Sequence, residues 1–134
     1  MKKVMLLLGF FLLMTGCKKT LMCSLDTEST DVNTKQVYKI YYNNGNIKNV
    51  DYDIIYDLLN KNLRSDYDMM TIFMRGNLEE NNVNYDYKYE DNKYILTAHY
   101  DVESMSYEAI NQFIGTKNFK DFKKNLKQQG FICK

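Results

Sequence analysis

Strict two-residue alternation on either side of one stretch with helical spacing limits this chain to an antiparallel sheet packed with helices. Val83, Tyr85, Tyr87 and Tyr89 alternate with Asn84, Asp86, Lys88 and Glu90. Asp91-Asn92 then turns the chain, and Tyr94, Leu96, Ala98, Tyr100 and Val102 alternate back. Successive strand side chains point to opposite faces, so this is a hairpin with one apolar and one wet face. A second hairpin precedes it. Gln36–Tyr42 and Ile47–Tyr56 are rich in β-branched and aromatic residues and flank Asn43-Asn44-Gly45-Asn46. An Asn-Gly pair between two such runs is a strong hairpin signal, because both central residues of the turn need positive φ. Leu21, Cys23 and Leu25 share one face of an earlier strand, and Thr27–Lys35 is polar and turn-like.

Between the hairpins the period changes. Tyr67, Met70, Phe73, Met74 and Leu78 recur at helical spacing, with Asp66, Thr71, Arg75 and Glu79 predicted opposite them. Leu58, Leu59 and Leu63 are either the first turns of that helix or a separate short one, and Asn81-Asn82 stops it. After the second hairpin, Ser106 is placed to cap a helix carrying Tyr107, Ile110 and Ile114. Asn118 is placed to cap another, with Phe119, Phe122 and Leu126 inward and lysines outward. Gly130 falls at the C′ position and Phe131 at C″, where a Schellman motif packs it on Leu126. Ile132 and Cys133 could add a last short strand. The expected fold class is α+β: a sheet of about five strands from two hairpins, one central helix and C-terminal helices.

The first residues read differently. Lys2 and Lys3 form a basic start, Val4–Met14 is apolar but for Gly9, and Leu13-Met14-Thr15-Gly16-Cys17 closes the run. That run is shorter than the ~20 residues of a membrane-spanning helix and suits a signal-peptide core. A small residue before a cysteine fits a cleavage site whose thiol then carries lipid. The expected organisation is a leader over 1–16, a lipid tether over 17–20 and one domain over 21–134. The competing readings are a plain secretory signal or a buried core helix. Without the leader, 118 residues remain, one ordinary domain. Loss of Lys2 and Lys3 lowers the basic count from 18 to 16, against 17 acidic side chains. A balance so near neutral carries no nucleic-acid footprint. Lys18 and Lys19 would add weak attraction to anionic headgroups.

With Cys17 lipidated, Cys23 and Cys133 remain as an even pair in an exported, oxidising setting, and a disulfide is expected. Two buried free thiols are the alternative. His99 is the single histidine. On its strand it shares a face with Thr97 and Asp101, an arrangement that could orient an imidazole base or begin a metal site. A structural zinc site wants four ligands, and no second histidine supplies them. Asp51 with Asp53 and Asp66 with Asp68 lack the run of a calcium loop and read as solvated carboxylates. The ladder of Tyr85, Tyr87 and Tyr89 is either a flat aromatic platform for a ligand or the core face under the central helix; the need of both apolar faces for a partner favours the core. No phosphate loop, nucleophile elbow or zinc-protease motif occurs, so neither a cofactor nor a catalytic residue is expected.

The lipobox-like leader, the order hairpin, helix, hairpin, helix, and the closing segment Phe122-Lys123-Lys124-Asn125-Leu126-Lys127-Gln128-Gln129-Gly130-Phe131 together resemble the YehR-type small bacterial lipoproteins, a family of unknown function. The chain differs in carrying Cys23 and Cys133. The resemblance implies an α+β surface lipoprotein and no catalytic residues. The expectation for function is therefore a non-enzymatic module on the extracytoplasmic face of a bacterial membrane. It would be anchored through diacylglyceryl Cys17 and bind a protein, a peptide or another envelope component. The alternative is a small metal-binding domain or enzyme using His99 with Asp101. The leader generates one direct expectation: in a bacterial host the full chain matures to an acylated form in the membrane fraction, and Cys17→Ala does not. Intact mass and fractionation check it; an unacylated mature wild type in the soluble fraction refutes it.

Overall fold

The computed structural model describes residues 18–134, and the leader and Cys17 lie outside them. The chain runs β1 (Lys19–Thr27), β2 (Val32–Asn43), β3 (Asn46–Leu58), a 3-10 turn (Lys61–Leu63) and α1 (Arg64–Glu80). It continues through β4 (Asn84–Glu90), β5 (Lys93–Asp101), α2 (Tyr107–Phe113), α3 (Phe119–Gln128) and β6 (Ile132–Cys133). All six strands form one antiparallel sheet in the order β4-β5-β3-β2-β1-β6. The expected five strands are thus six. Ile132 and Cys133 pair with Ser24 and Cys23 and extend the sheet beyond β1. Sequence undercounts here because a two-residue strand has no period of its own and is made by its partner.

Both hairpin turns follow from local chemistry. Asn44 and Gly45 take φ of 50° and 76°, and Asp91 and Asn92 take 52° and 63°. Two consecutive positive φ values give the turn whose twist matches that of the strands. Both predicted N-caps form: Ser106 Oγ accepts from Ala109 N at 3.2 Å, and Asn118 Oδ1 accepts from Asp121 N at 3.0 Å. Gly130, at φ 99°, donates to the Lys127 carbonyl while Phe131 donates to that of Leu126. This is the expected Schellman closure. The same motif ends α1, with Asn82 at φ 56° in place of glycine and Val83 bonded to the Leu78 carbonyl. β1 begins inside the 17–20 segment expected as a tether, where Lys19 and Thr20 pair with Tyr42 and Tyr41.

One sheet face is dry. Cys23, Ile40, Val50, Ile54, Tyr94, Leu96, Ala98 and Tyr100 are buried on it, under α1, α2 and α3. α1 covers β4 and β5, and α3 covers the other half. Tyr38 is the hub of that second half. Its ring stacks on Tyr52 at 4.4 Å and meets the edges of Phe122 at 5.6 Å and Phe131 at 5.3 Å. Cys23, directly opposite Tyr38 in the ladder, is bonded to Cys133 with Cα atoms 4.0 Å apart. The bridge and the aromatic hub therefore fasten the C-terminal segment to the same point of β1 and β2.

The inward face of α1 is not the predicted one. Leu78 is buried and Tyr67, Met70 and Met74 are half-buried, but Phe73 is 71% exposed and Thr71 only 1%. The helix is turned so that Thr71 and Arg75 look at the sheet. The reason is the tyrosine ladder opposite, whose hydroxyls take polar partners and whose electron-rich ring faces attract cations. Arg75 lies over the Tyr87 ring at 4.0 Å, Arg64 over Tyr89 at 4.7 Å, and Tyr85 donates to Glu79. Tyr94, almost wholly buried, lies within hydrogen-bond reach of the Arg64 carbonyl and the Asp68 carboxylate and pins the first turn of α1. Of the three apolar residues expected on α2, Ile110 and Ile114 are buried and Tyr107 is 76% exposed.

Cys23 and Cys133 are 110 residues apart in sequence. A bridge closing so long a loop removes much unfolded-state entropy. Replacing both cysteines by serine is expected to lower stability by about 2–4 kcal/mol, read as a lower urea midpoint. The oxidised full chain should also show neither thiol to an alkylating reagent. Two labelled thiols, or an unchanged midpoint, would contradict the pairing.

Candidate functional site

The uncovered face of the sheet holds a polar cluster on three neighbouring strands. Asp51 lies directly opposite His99, and Asp86 is opposite Thr97, one diagonal step away. His99 Nδ1 is 2.8 Å from Asp51 Oδ1, and Nε2 is 2.9 Å from Asp86 Oδ2. Tyr41 donates to the other Asp51 oxygen at 3.3 Å, and the Lys39 ammonium lies 5.4 Å from the Tyr41 ring. Lys18, Asn49, Asn84 and Asp101 complete a shallow cleft of about 380 Å³. The alternative reading joined His99 with Asp101, but the imidazole's partners are Asp51 and Asp86. Residues two apart on one strand are nearly 7 Å apart, whereas directly opposed residues on neighbouring strands approach to about 5 Å. His99 therefore bonds across the sheet. Asp101 faces Asn49 in the ladder and lines the cleft without touching the imidazole.

With a carboxylate at each nitrogen, the ring is a charge-assisted clasp across β4, β5 and β3. The hydrogen bonds to Asp86 and Asp51 raise the His99 pKa above its ordinary value of 6.5, against a smaller opposing effect of desolvation. Both nitrogens are engaged, and the two carboxylates sit on opposite sides of the ring. A single ion cannot be reached by all three groups in this arrangement. Among the described residues no group of three or more His, Cys, Asp or Glu side chains is disposed to hold a metal ion. Asp53 shares the wet face with Asp51, as its strand spacing predicts, while Asp68 is taken up by Tyr94 and Arg64.

The tyrosine ladder is half-buried between the sheet and α1. Tyr85, Tyr87 and Tyr89 thus lie against the core: the Tyr85 hydroxyl bonds Glu79, the Tyr89 hydroxyl bonds Asn92, and Arg75 and Arg64 lie over the faces of the Tyr87 and Tyr89 rings. No flat platform is left open there.

A second cleft, about 500 Å³, lies between α2 and α3. Tyr38, Phe113 and Phe122 form its aromatic floor, and Asn111, Gln112, Asn125, Gln128 and Gln129 ring it with carboxamides. No carboxylate, imidazole, thiol, hydroxymethyl or ammonium group lines it. Burial pushes the Tyr38 phenol up from its ordinary 10.0, so it stays a neutral hydrogen-bonding group. Sequence reading missed this cleft because its amides come from two helices whose facing depends on the sheet beneath. The one available signal was the crowding of Asn and Gln on otherwise amphipathic helices. Cys17, the expected lipid carrier, lies outside the described residues.

Neither a protein-family model, nor a curated protein, nor a solved structure matches the chain.

The clasp has a definite pH signature. His99 binds its proton more tightly folded than unfolded, so its contribution to stability is complete below about 6.5 and is lost as pH rises through the raised folded value. An NMR titration of the histidine should report a folded pKa above 6.5, lowered in Asp51→Asn and in Asp86→Asn. The difference in urea midpoint between wild type and His99→Gln should shrink as pH rises through the same range. A wild-type value at or below 6.5 would show that the clasp does not form in solution.

Proposed function

We propose that this chain is a bacterial lipoprotein, anchored through diacylglyceryl Cys17 on the extracytoplasmic face of a membrane, and that its domain binds a partner without transforming it. The partner is an uncharged, hydrogen-bonding segment of an envelope component. The observation that carries this reading is the α2–α3 cleft. Carboxamides around an aromatic floor offer donors, acceptors and a stacking surface together, and the one ionisable group beside them is the Tyr38 phenol, which burial keeps neutral. Such a site rewards shape and hydrogen bonding, and a phenol pushed up from its ordinary value, with no carboxylate, imidazole or ammonium lining the cleft, is poorly suited to general acid–base or covalent catalysis. Kinship with the YehR-type lipoproteins remains part of the proposal, supported by the lipobox-like leader and the Gln-Gly-aromatic close of α3.

A second reading, metal binding or catalysis at His99, is favoured only by the clasp itself, and there with Asp51 and Asp86 as partners. One set of NMR titrations separates the two. With neutral oligosaccharides and uncharged peptides as probes, binding is expected to shift the backbone amides of residues 111–115 and 125–129, and Asn125→Ala with Gln129→Ala is expected to weaken it by roughly five- to a hundredfold. Each lost hydrogen bond contributes about 0.5–1.5 kcal/mol. Zinc is the contrasting probe. Tight zinc binding lost in His99→Ala, with no response of the cleft to any neutral probe, would favour the second reading.

A further inference from the structure

The helical side of this domain carries two exposed features that neither the core nor the cleft explains. On α1, Met69, Ile72 and Phe73 are 61%, 59% and 71% exposed. Their spacing places them on one stripe of the helix, directed away from the sheet. Asp66 and Glu80 bound the stripe at its two ends. On α3, Lys120, Lys123, Lys124 and Lys127 recur at i, i+3, i+4 and i+7 along the face opposite Phe122 and Leu126. None of the four is in an ion pair among the described residues. Asp121, the one acid of that helix, is turned about a quarter of the circumference away. Both helices pack on the same dry face of the sheet, so their outer stripes belong to one side of the molecule.

The chain enters the domain at the start of β1, at an edge that the two sides share: Lys18 lines the wet-face cleft, and the next residue leads to the helical side. Lys19 pairs with Tyr42, and the Tyr42 ring stacks at 3.6 Å on Phe119, the first residue of α3. One residue, Lys18, separates Lys19 from Cys17, two steps of chain with a reach of about 7 Å at full extension. A lipid on Cys17 would therefore hold the domain against the bilayer, and some face must meet the headgroups. The opposite sheet face offers mixed charges, among them Asp26, Asp51, Asp53, Asp57, Asp86 and Asp101. The helical side offers unpaired lysines and exposed apolar side chains, the two elements an interfacial contact uses.

We propose that the outer surface of α1 and α3 is a membrane-contact face, on which the domain lies against an anionic bilayer with Met69, Ile72 and Phe73 at the headgroup boundary and the α3 lysines on lipid phosphates. This rests on the Cys17 anchor proposed above. The consequence is directional: the wet sheet face with its His99 clasp points away from the membrane.

The chain contains no tryptophan, so a single introduced indole reports one place. Full-length Phe73→Trp and Thr97→Trp, purified in detergent, are reconstituted into phosphatidylcholine vesicles with or without phosphatidylglycerol. Trp at 73 is expected to shift to the blue and to be quenched by brominated lipid when phosphatidylglycerol is present; Trp at 97 is expected to do neither. Adding Lys120→Gln, Lys124→Gln and Lys127→Gln should weaken the preference by about fivefold per lysine. Acylation of Cys17, read by mass in the same preparations, tests the anchor separately. Unacylated protein that still shows the response at 73 supports the contact face and removes the anchor. Acylated, vesicle-bound protein with no response at 73, or with the response at 97, overturns the contact face and leaves the anchor standing. A blue shift that grows with protein concentration in the absence of lipid assigns the stripe to a second copy of the chain and overturns the proposal as well.

Discussion

A six-stranded sheet with one dry face must find cover for that face, and it must find it on one side only. The period-2 burial along β3 and β5 puts Val50, Ile54, Leu96, Ala98 and Tyr100 on the dry face and Asp51, Asp53, Thr97 and His99 on the wet one. Every other element answers to this division. α1 takes the half over β4 and β5, α2 and α3 take the rest, and positive-φ Asn, Asp or Gly residues close the β2–β3, α1–β4, β4–β5, α2–α3 and α3–β6 turns. The wet face, free of helices, is where charged side chains from three strands can meet. The dry face, roofed by separate helices, is where a cleft can open between them.

Tyrosine is the building material of the dry face, and its phenol rim has consequences that leucine would not have. A tyrosine presents an apolar ring and a polar edge, so the element packed on it needs both kinds of group. α1 meets the ladder with Arg64, Arg75 and Glu79 as well as with Met74 and Leu78. That choice rotates the helix and leaves Met69, Ile72 and Phe73 on the outside. Around Tyr38 the same property acts differently: Phe122 and Phe131 take the ring edges while the residue itself floors the α2–α3 cleft. Packing and the candidate ligand site therefore share a residue. Truncating Tyr38 would damage both at once, which makes it a poor probe of binding.

The two candidate sites differ in what holds them. The His99 clasp ties three strands of a continuous ladder, so its geometry is set by register and has little freedom beyond the titration of the imidazole. The carboxamide cleft is bounded by two short helices joined by a turn through Gly115, at φ 89°. Among the described residues no helix is long and apolar enough to cross a membrane.

The sequence by itself determined the local structure that depends on near neighbours. The Asn44-Gly45 and Asp91-Asn92 turns, the alternation of β3 to β5, the Ser106 and Asn118 caps and the Gly130 closure each rest on residues a few positions apart. An α+β sheet with helices followed from them, and the pairing of Cys23 with Cys133 was readable from count and placement. What only the tertiary structure decided involves distant partners. β6 exists because Cys133 lies beside Cys23. The clasp joins Asp51, Asp86 and His99 because cross-strand neighbours stand closer than residues two apart on one strand. The inward face of α1 was misread at Phe73, Thr71 and Arg75 because apolar spacing assumes an apolar partner, and the partner here is a row of phenols. The amide cleft left no periodic trace at all, since its rim is assembled from two helices whose relative placement is set by the sheet they share.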